Sequence, residues 1–207
     1  MVNQMKCGIL GGTFNPIHTG HLILAENAYD ALKLDQVLFM PSGVSYLKDR
    51  REILPAKDRI RMVELAIENN PHFVLSTIET DRDGNSYTVD TLRILKDELP
   101  DAELFFIGGA DILMSIHTWR EPDQILQMAD LVIAPRDFTE YQALQTQKAM
   151  LEEQYGATVI LLDTPDLAIS SSMIRERIRQ KQSIRYYVPD AVIAYIREHQ
   201  LYNTDNE

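Results

Sequence analysis

The stretch Gly8-Ile-Leu-Gly-Gly-Thr-Phe-Asn-Pro-Ile-His-Thr-Gly-His21 joins an apolar run to a helical pattern through a pair of glycines. Lys6 to Leu10 has the composition of a short buried strand, and Gly11-Gly12 predicts a turn whose backbone N–H groups can approach an anion without a Cβ in the way. Apolar residues then recur at helical spacing as far as Leu32, so a helix is predicted to begin near Thr19. A turn of this kind before a helix N-terminus indicates a nucleotide-phosphate site.

Two histidines stand at the start of this predicted helix, His18 at its mouth and His21 in its first turn. The amides and the positive dipole end of a helix N-terminus favour phosphate, and imidazoles three residues apart on one face can donate to phosphate oxygens. Half of a metal site and a pair of solvated side chains are the alternatives. Zinc needs three or four ligands, and His72, His117 and His199 stand alone without cysteine partners. The combined pattern favours phosphate, and no metal ligand is expected among the side chains.

The rest of the chain alternates strand and helix patterns. The predicted strands are 36–40, 73–76, 103–107, 131–134 and 158–162, and the predicted helices are 56–68, 86–99, 141–155, 170–180 and 189–199. This alternation is typical of an α/β doubly wound parallel sheet, whose ligand crevice lies at the carboxyl ends of the strands beside the switch point. Both the first and the fourth strand run into a glycine pair, Gly11-Gly12 and Gly108-Gly109, so both pairs line one crevice if these strands are neighbours. Residues 1–165 are predicted to form the α/β domain and 166–207 a small helical C-terminal subdomain of the same unit.

Composition and charge exclude several classes of protein. The chain has 207 residues and a net charge of −11, from 20 basic and 31 acidic side chains, which argues against nonspecific nucleic-acid binding. No apolar run approaches the roughly 18 residues of a membrane span, and the first residues are too polar for a signal peptide. Cys7 is the only cysteine, which excludes an internal disulfide and fits a reducing compartment. We therefore expect a cytoplasmic protein without membrane or nucleic-acid partners, with Cys7 as a packed core thiol.

Further candidate residues follow the later strands. Ser170, Ser171 and Ser172 precede an apolar helical pattern that contains Arg175, and serines there either cap the helix or bind phosphate. Asp111 follows the second glycine pair, where a carboxylate either accepts bonds from a ribose hydroxyl or caps the next short helix. Trp119, the only tryptophan, lies in a polar stretch, and such an indole either packs or stacks on a flat ligand.

The stretch Gly11 to His21 resembles the G-G-[ST]-F-[DN]-P-x-H-x-G-H signature of the nucleotidyltransferase superfamily that uses a His-x-Gly-His motif. Ile169 to Arg175 is similar to the superfamily's second motif, Ile-Ser-Ser-[ST]-x-[IL]-Arg, with Ser172 where threonine is often found. Within the superfamily the whole chain most resembles the bacterial nicotinate-mononucleotide adenylyltransferases. Two features mark that branch, the run Ser86-Tyr-Thr-Val-Asp-Thr-Leu92 and a tryptophan eight residues after Asp111.

The resemblance implies a Rossmann-like fold and roles for named residues. His18, His21 and Arg175 would be catalytic. The residues implied in ATP binding are Gly11, Gly12, Thr13, Phe14, His18, His21, Gly108, Asp111, Ser170, Ser171, Ser172 and Arg175. Those implied in binding the mononucleotide are Asn15, Lys48, Tyr87, Thr88 and Trp119, with Trp119 stacked on the pyridine ring and the threonine region receiving its carboxylate. Lys48 follows Gly43-Val-Ser-Tyr-Leu where the family usually has Pro-x-x-x-Pro-His before the lysine, and a solvated loop lysine is its alternative.

The implied reaction is adenylyl transfer from ATP to nicotinic acid mononucleotide, giving deamido-NAD and pyrophosphate in NAD biosynthesis. Phosphoryl transfer depends mainly on positioning and charge stabilisation, so imidazoles, an arginine, helix amides and Mg²⁺ carried with ATP suffice. The alternatives are a transferase for another phosphate acceptor, a fragment of a class I aminoacyl-tRNA synthetase and a nucleotide-sensing module without turnover. The expected partners are ATP and the mononucleotide, and a homo-oligomer is left open.

Overall fold

A computed structural model describes residues 4–43, 53–135, 141–165 and 167–203. Its strands are β1 (Lys6–Gly12), β2 (Gln36–Pro41), β3 (Phe73–Leu75), β4 (Glu103–Gly109), β5 (Asp130–Ala134) and β6 (Val159–Leu161). Its helices are α1 (Thr19–Leu32), α2 (Ala56–Ile67), α3 (Thr88–Glu98), α4 (Ala110–Ser115), α5 (Pro122–Met128), α6 (Tyr141–Tyr155), α7 (Ser171–Arg179) and α8 (Asp190–Glu198). Within the described ranges, no helix has both the length and the apolar character that crossing a membrane requires.

The strands form a parallel sheet in the order β3-β2-β1-β4-β5-β6. β1 pairs with β2 on one side and with β4 on the other, so the strand order reverses at β1. This confirms the predicted Rossmann-like, doubly wound fold and the neighbouring positions of the first and fourth strands. The carboxyl ends of β1 and β4 therefore border the crevice where such sheets bind ligands.

Both glycine pairs belong to strands, which corrects the predicted turns. Gly11 pairs with Met40 and Gly12 with Pro41 in the β1–β2 ladder. Gly108 and Gly109 likewise continue the β4–β5 ladder. The chain leaves β1 only at Thr13, because pairing with β2 continues for two residues beyond the last pair with β4, Leu10–Ile107. Helix α5 has no counterpart in the prediction, and α4 has one only as the short helix in the alternative reading of Asp111, since seven and six residues are too short for a clear helical period.

Side chains alternate between the two faces of the sheet and build two apolar layers. Along β2, Val37 and Phe39 belong to one layer, while Leu38 and Met40 belong to the other. Helices α3, α4, α5 and α6 cover the second of these faces, and helices α1, α2, α7 and α8 the first. The core residues of α7 and α8 thus pack in the layer that also contains Leu10 of β1. The division at residues 165 and 166 stays a prediction.

Candidate active site

The turn between β1 and α1, Thr13–His18, lies at the carboxyl edge of the sheet. Phe14 has a left-handed backbone with φ of 48°, a conformation that costs an aromatic residue about 1–3 kcal/mol. Its ring is only 2% exposed and lies edge-on to the His21 ring, with the centroids 5.0 Å apart. Burial of this ring offsets the strain and directs the backbone of the turn towards the crevice.

His18 and His21 lie together at the N-terminus of α1, which begins at Thr19 as the sequence predicts. Their rings stack with centroids 3.6 Å apart and an interplanar angle of 24°. The backbone N–H of His18 donates to Nδ1 of His21 at 3.2 Å, so Nδ1 holds a lone pair and the ring proton of His21 lies on Nε2. A Cβ on Gly20 would lie 3.1 Å from Nδ1 of His18. The glycine between the histidines therefore leaves room for the His18 ring to fold over the helix end.

Helix α7 is hydrogen-bonded to this turn. Ser171 Oγ donates to the carbonyl of Pro16 at 2.8 Å, and Arg175 Nη1 donates to the carbonyl of Asn15 at 2.9 Å. Ser170 Oγ accepts from the N–H of Met173 at 3.2 Å, so Ser170 caps α7. The second motif thus places a helix N-terminus and a guanidinium opposite the histidine pair.

A cleft of about 750 Å³ opens between these elements. Among the predicted site residues, those that line it are Gly11, Gly12, Thr13, Phe14, Asn15, His18, His21, Gly108, Asp111, Ser170, Ser171, Ser172 and Arg175. Gly109 is the N-cap of α4, so Asp111 does not cap that helix and instead lies in its first turn at the cleft. Apolar side chains also line the cleft, among them Ile112, Leu167 and Ile169. The cleft therefore combines hydrogen-bond donors suited to phosphate with apolar surface.

A second cavity of about 220 Å³ adjoins the cleft, and Gly11, Gly12, Thr13 and Ile112 line both. Tyr87 and Thr88 line it at the N-terminus of α3, where Tyr87 is the N-cap. Trp119 lines it as well, half-buried with its ring edge-on to Phe106 at 6.1 Å. Its Nε1 donates to Ser115 Oγ at 3.3 Å. The structure thus brings together the predicted Tyr87, Thr88 and Trp119, while Lys48 lies outside the described residues.

Arg59 supports the site from beneath the turn and was missed by the sequence analysis. Its guanidinium is buried under the turn and donates to three carbonyls, those of Thr13 at 2.8 Å, Ser42 at 2.9 Å and Leu54 at 3.1 Å. Burial lowers the pKa of Arg59 from its ordinary value. One signal was present in the sequence, because Arg59 occupies the same helical stripe of α2 as the buried Met62 and Val63.

Tyr202 is a second residue that the sequence analysis missed. Its hydroxyl donates to Asn15 Oδ1 at 2.9 Å, and the same oxygen accepts from the N–H of Leu54 at 3.3 Å. Burial raises the pKa of the Tyr202 phenol, which keeps the proton on the hydroxyl for this bond. Asn15 is 4% exposed and therefore stabilises the turn from beneath in addition to lining the cleft.

Glu79 is a buried carboxyl beside the second cavity, also absent from the sequence prediction. Its Oε1 accepts from Thr91 Oγ1 at 3.0 Å, and Gly43 donates to it from the backbone. Burial raises the pKa of Glu79 above its ordinary value, against the opposing effect of these hydrogen bonds and of Arg82. The carboxyl thus joins the segment after β2 to α3 at the cavity wall.

The chain is similar in sequence to a family of known proteins. The family model described as cytidylyltransferase-like matches residues 9–177. A relative from Lachnoclostridium phytofermentans is 43% identical over 95% of this chain and 98% of its own length, and one from Dehalococcoides mccartyi is 44% identical over 96% and 98%. Both are named "probable nicotinate-nucleotide adenylyltransferase".

Solved structures share the fold. The Plasmodium falciparum nicotinic acid mononucleotide adenylyltransferase complexed with NaAD superposes with a TM-score of 0.79 at 20% identity, over 96% of this chain and 97% of the other. The same protein complexed with APC superposes with a TM-score of 0.76. At this identity the likeness supports the fold of the chain.

Proposed function

The chain belongs to the cytidylyltransferase-like family, among the nicotinate-nucleotide adenylyltransferases, and we propose that its two adjoining cavities hold the substrates of that reaction. It transfers the adenylyl group of ATP to nicotinic acid mononucleotide and releases pyrophosphate. The 5′-phosphate oxygen of the mononucleotide attacks the α-phosphorus of ATP in line. A P–O bond forms to that oxygen, the bond to the β-phosphate oxygen breaks, and deamido-NAD is the product without a covalent enzyme intermediate.

One observation carries the assignment of the substrates to the two cavities. The large cleft, with its imidazoles and arginine, meets the aromatic cavity along Gly11, Gly12 and Thr13. A dinucleotide has the same layout, with two nucleosides on either side of a pyrophosphate bridge. We place the bridge at Gly11–Thr13, the adenosine part in the large cleft and the pyridine in the aromatic cavity.

The reacting phosphates would lie against the N-termini of α1 and α7. His21 would donate from Nε2, since its Nδ1 accepts from the backbone of His18. Arg175 would share its charge between the carbonyl of Asn15 and the phosphates. These donors are held in place before the reaction, so negative charge that moves to nonbridging and leaving oxygens meets a preorganised site. The ring of Phe14 packs beneath the turn, so Phe14 would contribute its backbone.

The pyridine would lie beside Trp119 and Tyr87, with its carboxylate towards the first amides of α3 at Thr88. A carboxylate accepts on both oxygens, whereas a carboxamide must donate through its nitrogen. A helix N-terminus presents only donors and so favours the acid.

Mg²⁺ fits the cleft as an ion that arrives with ATP. Among the described residues that line the cleft, Asp111 supplies the only carboxylate, and no group of three or more metal-ligating side chains occurs in the described part of the chain. Mg²⁺ binds phosphates readily while it keeps several waters, and it neutralises part of their charge. Asp111 would contact this ion or the ribose. A cytoplasmic location, compatible with the buried thiol of Cys7, completes the proposal.

The test is pyrophosphate release from ATP and Mg²⁺ with nicotinic acid mononucleotide, with deamido-NAD identified by mass. His21→Ala is the test variant, and His199→Ala is its matched control because His199 is exposed on the surface beyond α8. We expect product with the wild type and with the control, and little with His21→Ala. Absence of deamido-NAD from the wild type would refute the function, and full turnover by His21→Ala would refute the role of the histidine.

A further inference from the structure

Arg120 stands at the rim of the aromatic cavity, between Trp119 and the start of α5. Its guanidinium carbon lies 4.7 Å from the centroid of the Tyr87 ring, which is a cation–π contact. Tyr87 is also the N-cap of α3. The contact therefore places a fixed positive charge beside the helix N-terminus that borders the cavity.

The charges that line this cavity are few. Among the described lining residues, Arg120 is the only cation and Glu79 is the only acid. A negative Glu79 would repel a carboxylate ligand, and the chain as a whole carries a net charge of −11. Bonds from Thr91 and Gly43 occupy Glu79, and Arg82 lies near enough to offset part of its charge. An anionic ring substituent in the cavity would still need a positive group of its own, and Arg120 is positioned to be that group.

Two nearby acids offset only part of the charge of Arg120, because both lie closer to Arg93. Arg93 contacts Asp90 at 3.2 Å and Glu121 at 2.5 Å. Arg120 contacts the same two residues only at 4.0 and 3.5 Å. Arg120 and Arg93 thus contact the same two acids and are similarly exposed, with exposed side-chain fractions of 53% and 44%. Arg93 is not among the residues that line the cavity.

We propose that Arg120 is a specificity-determining residue, whose charge on the Tyr87 ring favours the acid form of the pyridine mononucleotide over the amide form. This inference rests on the proposed function. The first amides of α3 orient the carboxylate through hydrogen bonds, and Arg120 adds a long-range attraction that a neutral carboxamide does not experience. The charge also acts before the hydrogen bonds form, so it raises the rate at which the acid enters the cavity.

The test compares kcat/KM for nicotinic acid mononucleotide and for nicotinamide mononucleotide in the wild type, Arg120→Gln, Arg120→Lys and Arg93→Gln. We expect Arg120→Gln to lower the value for the acid by about 3- to 10-fold, the size expected for one partly screened charge, and to leave the amide within about twofold. Arg120→Lys should keep most of the acid preference because it keeps the charge. Arg93→Gln should lower the value for the acid by less than Arg120→Gln does, because it keeps Arg120 but releases Asp90 and Glu121 to pair with it. Arg61→Gln, measured alongside, is the matched control: Arg61 is also 53% exposed and does not line the cavity, so neither substrate should change by more than about twofold.

The salt dependence of the acid preference supplies a second measurement. Raising the KCl concentration should weaken the acid preference of the wild type and should have less effect on that of Arg120→Gln. An acid-to-amide ratio that is unchanged in Arg120→Gln would overturn the inference, as would an equal loss for both substrates, which would indicate packing. Failure of the wild type to use the acid at all would instead refute the proposed function.

Discussion

Replacing Arg59 with lysine should remove most of the bonds that join Thr13, in the turn between β1 and α1, to Ser42 and Leu54. Arg59 is 4% exposed and donates to the carbonyls of Thr13, Ser42 and Leu54. A lysine has one donor group at the end of a flexible chain, so it can satisfy about one of these three carbonyls. Hydrogen bonds to charged groups contribute about 1.5–3 kcal/mol each, and the loss of two lowers the free energy of unfolding by about 3–6 kcal/mol. For a domain of this size that corresponds to a decrease in Tm of roughly 6–24 °C.

Arg61→Lys is the matched control for Arg59→Lys. Arg61 lies on the same helix, but its side chain is 53% exposed and contacts only the exposed Glu64 among its described ion-pair partners. Its replacement should change stability by less than about 0.5 kcal/mol. Urea unfolding gives the free energies, and turnover is measured at a temperature where both variants are folded. In folded Arg59→Lys we expect kcat to decrease because Thr13 is less well positioned. Equal stability of the two variants would show that the three bonds do not anchor the turn.

Four further changes test other parts of the site. His21→Ala should lower kcat by roughly 10²- to 10³-fold with a modest change in ATP affinity, and near-normal turnover would remove its assigned role. Gly20→Ala should lower kcat by about tenfold without unfolding the protein, because the new Cβ lies 3.1 Å from Nδ1 of His18 and displaces that ring; unchanged kinetics would show that the ring position is not critical. Trp119→Ala should raise KM for both the acid and the amide mononucleotide while the acid preference stays above about ten, and a collapse of the ratio would assign selectivity to the indole. Glu79→Gln should flatten the pH dependence of stability. Burial raises the pKa of the folded Glu79 carboxyl above its ordinary 4.5, so at pH values between the unfolded and folded pKa the folded wild type binds more protons than the unfolded chain. Its free energy of unfolding therefore falls as the pH rises between these two pKa values. Urea unfolding at a series of pH values measures that slope, and equal slopes in the two proteins would contradict the assignment.

Much of the fold could be predicted because its signals are local. Helix α1 starts at Thr19 as predicted, and α3 starts at Thr88, two residues after the predicted start at 86, since apolar periodicity is carried by a few neighbouring residues. The doubly wound sheet followed from the alternation of strands and helices. The prediction of turns at the glycine pairs was wrong because glycine is typical of turns. Pairing with β2 and β5 keeps Gly12 and Gly109 in strands.

The sequence by itself determined the strand–turn–helix unit, the two histidines on one helix turn and the serine cap of α7, because each depends on residues a few positions apart. Only the tertiary structure decided what holds this unit in place. Arg59 reaches Thr13 across 46 positions of the chain, and Tyr202 reaches Asn15 across 187. The stripe of α2 predicts burial of Arg59 but not its partners, since a buried guanidinium or phenol is placed by the packing of α2 and of the segment after α8 against the sheet. Local sequence therefore specifies which side chains the candidate site contains, and long-range packing specifies their geometry.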